Sequence, residues 1–140
     1  MDRERFNQSE KWISHLLNTD DESVNPKNQK VFFGYLKKEL VKPLILTGRE
    51  DFDWEEKYIL GGWDQREYEL LKKTKPSFSD HFEFIQIEEK IDPWHGISVL
   101  VKRISDSKSF KIKLCDLSSI ENKSDNAKII DFYGIWMTNY

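Results

Sequence analysis

The densest set of potential metal ligands in this sequence is Glu50, Asp51, Asp53, Glu55 and Glu56, within the stretch REDFDWEEK from Arg49 to Lys57. Hard cations such as Ca²⁺ take six to eight oxygen ligands, mostly carboxylates and carbonyls. Asp51, Asp53 and Glu55 alternate, so in an extended segment their side chains share one side, with Glu50 and Glu56 on the other. On this spacing Asp51, Asp53, Glu55 and Glu56 are the candidate ligands of a calcium ion. The segment is not an EF-hand loop. With Asp51 as position 1, Glu56 falls where a glycine is needed at position 6, and Gly62 where a glutamate is needed at position 12. The same residues also read as a solvated acidic loop paired to Arg49, Lys57 and Arg66, and both readings stay open. Asp92, with Asp116, is a second choice for a cation. Phe52 and Trp54 read as core anchors of the loop.

Other chemistries have less support. His15, His81 and His95 have no partner at helical spacing. His81 and Glu83 share a strand face and could hold a transition metal, but a surface or turn role is simpler. There is no glycine-rich phosphate loop, and Gly61-Gly62 reads as a turn. No nucleophile stands in an elbow or triad motif, so the expectation is a protein that is not an enzyme. Cys115 is the single cysteine among 140 residues, which excludes an intramolecular disulfide and suggests a buried structural thiol.

The net charge of −3 provides no basic field for nucleic acid or an anionic membrane. The charge is uneven. Arg49 to Trp94 contains 13 acidic and 7 basic residues, and the remainder 12 and 15, so the acidic middle is where a cation would go. The first residues, MDRERFNQSE, lack the apolar stretch of a signal peptide, and no run approaches a membrane span. The expected setting is the cytoplasm.

The elements that must position these residues follow from periodicity. Ile97, Val99 and Val101, then Phe110, Ile112 and Leu114, alternate with polar or lysine positions across Ser105-Asp106-Ser107-Lys108, which predicts an antiparallel hairpin. Helices are expected over residues 2–17, from Pro26 to about Leu40, from Asp64 to before Pro76, and from an Asp125 N-cap to the end. In the last, Ile129, Phe132, Tyr133, Trp136 and Tyr140 form an aromatic face. Residues 43–48, 58–60 and 82–87 read as strands. One domain over residues 1–140 is expected, with a loosely docked helix at 2–17, a loop at 18–26, and the sheet with its helices over 27–140.

The order of these pieces resembles the small bacterial calcium-binding proteins of the CcbP family. Phe33-Gly34-Tyr35-Leu36 through Leu40, then Pro43, match that family's aromatic and Tyr-Leu helix before a Pro-bearing first strand. Phe110-Lys111-Ile112-Lys113-Leu114-Cys115-Asp116-Leu117 matches its later strand. Asp131-Phe132-Tyr133 with Trp136 matches its closing acidic and aromatic helix. The stretch Arg49 to Asp80 and the first helix are departures. The resemblance implies an α+β fold: a small SH3-like antiparallel β-barrel with N-terminal helices, an inserted short helix and a C-terminal aromatic helix, binding calcium through acidic side chains. The expected function is calcium binding or buffering, with the calcium ion as partner. The alternative is a metal-free protein-interaction module, of adaptor or immunity type, using the aromatic helix with Lys102, Lys111 and Lys113. Convergence of the carboxylates separates the two.

Overall fold

Ile97 to Lys113 folds as its alternation dictates. In the computed structural model, which describes residues 3–140, β3 (Ser98–Arg103) and β4 (Ser109–Lys113) pair antiparallel, with Val99 opposite Ile112 and Val101 opposite Phe110. β2 (His81–Ile87) pairs with β3, shifting register between Phe84 and Gln86, and with β1 (Ile45–Gly48), where Leu46 faces Phe82. β5 (Leu117–Ser119) pairs with the other side of β1. The order is β4-β3-β2-β1-β5, antiparallel throughout.

This is an open sheet and not the closed SH3-like barrel expected. Closure would require its first and last strands to pair. β4 instead runs through a 3-10 turn, Leu114–Asp116, directly into the three-residue β5, which pairs with β1.

Helices cover one face. α1 (Arg3–Leu17) buries Ile13 and Leu17 and sets Trp12 against Phe32, Tyr35 and Phe132, so it is packed and not loosely attached. Asp2, where the helix was expected to begin, lies outside the described residues. α2 (Pro26–Glu39) starts on Pro26, with the Asn25 side chain accepting from Asn28 N–H, and buries Phe32 and Leu36. α5 (Asp125–Asn139) is capped by Ser124, one residue before the expected Asp125; its Oγ accepts from Ala127 N–H. Its aromatic face is core: Tyr133 and Trp136 are fully buried, and Trp136 stacks on Phe32 at 4.5 Å.

The inserted stretch is helical. α3 (Glu56–Ile59) replaces the strand expected over 58–60, because Tyr58 is buried by stacking on Tyr68 of α4 (Gln65–Leu71), with ring centroids 5.2 Å apart. α4 has the expected Asp64 N-cap, accepting from Arg66 N–H.

Candidate functional site

The acidic stretch leaves β1 at Gly48, where an added Cβ would meet Phe78 Cα at 2.5 Å, so only glycine fits. Asp53–Glu55 is then a 3-10 turn, closed by Glu55 N–H donating to Phe52 C=O at 2.8 Å. This turn, and not an extended segment, decides where the carboxylates point. Glu55 is rotated inward and fully buried. Its Oε2 accepts from the backbone N–H of Phe52 (3.1 Å) and Phe78 (2.9 Å). Its Oε1 accepts from the hydroxyls of Tyr68 (3.0 Å) and Ser77 (2.6 Å). Both oxygens are engaged, so Glu55 anchors the loop and is not a metal ligand. Burial and then the hydrogen bond to Glu55 push the Tyr68 phenol up to about 12.

Asp51, Asp53 and Glu56 are exposed. Lys113, at the end of β4, places its Nζ 3.9 Å from Asp53 Oδ2 and 3.5 Å from Asp116 Oδ2. The structure thus brings Asp53 to Asp116, from the second-choice pair, around one ammonium. Asp53 and Glu56 also edge a surface groove of about 470 Å³ beside Trp54, Tyr58 and Leu71. Among the described residues, no three His, Cys, Asp or Glu side chains gather as a metal cluster. Asp92 closes its own turn, with Oδ1 accepting from the N–H of Trp94 (2.7 Å) and His95 (2.9 Å). Those hydrogen bonds hold its carboxyl below the ordinary value. His81 is exposed at the start of β2. Cys115 is half-buried, and burial raises its thiol pKa.

In the alternative reading, the aromatic half of the surface is the buried face of α5, while Lys102 and Lys111 of its lysine half are exposed.

Sequence reasoning missed the most heavily engaged charge, Arg103, which is 3% exposed. Its guanidinium donates to Asp80 (3.0 Å), to both oxygens of Asp106 (3.0 and 2.8 Å), and to the carbonyls of Lys72, Lys73 and Lys75 after α4 (2.9 to 3.0 Å). Arg103 pulls the Asp106 carboxyl down to about 2. The signal was available: a period of two places Arg103 in phase with Val99 and Val101, on the buried side of β3. Tyr133 was read as core but not as a connector. Its hydroxyl accepts from Ile97 N–H (2.9 Å) and donates to Gln29 Oε1 (3.0 Å), and burial raises its pKa.

No family model matches the sequence, and no curated protein matches it. Among solved structures the chain is similar to CcbP from Anabaena, with TM-score 0.60 and 16% identity over 94% of this chain and 89% of that one. It is also similar to a calcium binding protein solved in the calcium-binding form, with TM-score 0.58 and 17% identity over 99% and 96% of the two chains. The CcbP-like resemblance is therefore one of fold, extending over nearly the whole chain.

Proposed function

We propose that this protein binds calcium. The observation that supports this reading most is the fold it shares, almost end to end, with a protein solved in its calcium-binding form. The location we propose is the surface beside Lys113. Where Lys113 Nζ stands by Asp53 and Asp116, two carboxylates from segments distant in sequence already face one cation. In this reading Asp53 and Asp116 are the direct ligands. Asp51 and Glu56, exposed on the same acidic stretch, add negative field and outer contacts.

The donor set fits a partly hydrated ion. Two carboxylates supply at most about four of the six to eight oxygens calcium takes, and water supplies the rest. Such a site is weak, on the order of 10⁻⁴–10⁻³ M, the range of low-affinity calcium modules. Asp53 and Asp116 exchange Lys113 for the ion, and Lys113 turns to solvent. The inner-facing Glu55 keeps the turn in shape while the exposed carboxylates bind.

A ¹H–¹⁵N NMR titration with calcium tests the location. Saturable shifts centred on residues 51–56 and 113–116 are expected. Shifts confined to other residues would keep the function and discard this site.

A further inference from the structure

We infer that the outer face of the Trp54–Leu71 segment docks a second copy of this chain, forming a two-fold dimer. Ile59, Leu60, Trp63 and Leu70 are all exposed here, Leu60 by 79%. Trp63 is braced and not free, with Lys57 Nζ 4.5 Å above its ring and the Tyr58 ring 6.4 Å away. Beside this projection lies the groove of about 470 Å³ lined by Trp54, Tyr58, Leu60 and Leu71. A two-fold contact uses one patch twice, so whatever projects from each copy must meet a recess on the other. This short segment presents both.

The rim charges select the occupant. The groove is edged by the carboxylates of Asp53 and Glu56 and by Lys57 and Lys75. The lining of the groove thus carries two carboxylates and two lysines, with no net charge. An acidic or basic peptide, or an anionic lipid surface, is recognised by a field of one sign, which this face lacks. A second copy, turned over, sets lysines against carboxylates in both directions. An apolar centre with a mixed polar rim is the anatomy of a protein–protein interface.

The test is sedimentation velocity with light scattering on the full chain in EDTA, from about 1 to about 200 μM, the range in which micromolar association is visible. The expected mass rises toward twice the 16.8 kDa of one chain. Leu60→Glu and Trp63→Ser each weaken association at least about tenfold with circular dichroism unchanged, since both side chains are exposed in the monomer. Lys57→Glu weakens it, and Lys57→Glu with Glu56→Lys restores it. Trp94→Ser, at the exposed turn before β3, leaves it unchanged. A monomer at every concentration overturns the proposal. So does a dimer that survives Leu60→Glu and Trp63→Ser. Binding to anionic vesicles that Leu60→Glu abolishes, without dimerisation, would assign the face to a lipid surface and also overturn it.

Discussion

A carboxyl group removed from water is tolerated where hydrogen bonds replace its hydration, and Glu55 has four donors within 3.1 Å. Glu55→Gln presents an amide group to donors and is expected to destabilise the fold by about 2–4 kcal/mol, since hydrogen bonds to charged groups contribute about 1.5–3 kcal/mol each. Urea unfolding measures this. Calcium affinity of the folded variant should match the wild type, whereas a ligand role for Glu55 would abolish it. Spacing alone could not separate Glu55 from Asp53. Alternation assumes an extended chain, and the 3-10 turn breaks that assumption within three residues. A clue was present in Phe52-x-x-Glu55, where a glutamate at the third position reaches back to the backbone N–H of the residue before the turn, half of a capping box.

The inserted helical pair is tied to the sheet through Arg103, which joins the end of α4 to the β3–β4 turn and to Asp80. Arg103→Met removes the guanidinium from three carbonyls and two carboxylates, of which the Lys73 carbonyl, Asp80 and Asp106 keep a bond from Lys108 or Ser77. Breaking a buried ion pair in this way costs about 3–5 kcal/mol. Hydrogen exchange should show the amides of 72–75 losing protection first, and Arg103→Lys, lacking the planar fork, should recover little. The pH dependence has a definite sign. The Asp106 carboxyl is lowered from 3.8 to about 2 in the fold by Arg103, so its stabilising contribution is complete above 3.8 and is lost as pH falls toward 2. The difference in Tm between wild type and Asp106→Asn should be constant near neutrality, shrink below about pH 4 and vanish only below about pH 2. The hairpin, α2, α4 and α5 were legible because each has its own period and boundary residues. α3 was not, because its four residues are too few to carry a period, and Tyr58 is held by rings distant in sequence, Tyr68 foremost.

At the scale of the molecule, the helical layer is joined to the sheet by a few buried polar contacts through an apolar core. Tyr133 spans from α2 to the first residue before β3, and Gly96, at φ +77°, leaves room for its hydroxyl: an added Cβ would lie 2.4 Å from it. Tyr133→Phe leaves Ile97 N–H and Gln29 without that partner and should cost about 1–3 kcal/mol by thermal unfolding. Antiparallel pairing and the aromatic helix were legible in local patterns. The open sheet was not, because closure depends on which strand β5 joins, and its three residues say nothing of that. The residues of the proposed site, Asp53 and Asp116, were named in separate sets, and the turn from β4 into β5 brings both to Lys113. The central claim, that this surface takes calcium, is tested most directly by titration calorimetry of the wild type against Asp53→Asn/Asp116→Asn. The expected result is saturable binding on the order of 10⁻⁴–10⁻³ M in the wild type, weakened at least about tenfold in the double variant. No heat from the wild type up to calcium concentrations of about 10 mM, well above that range, would contradict the claim.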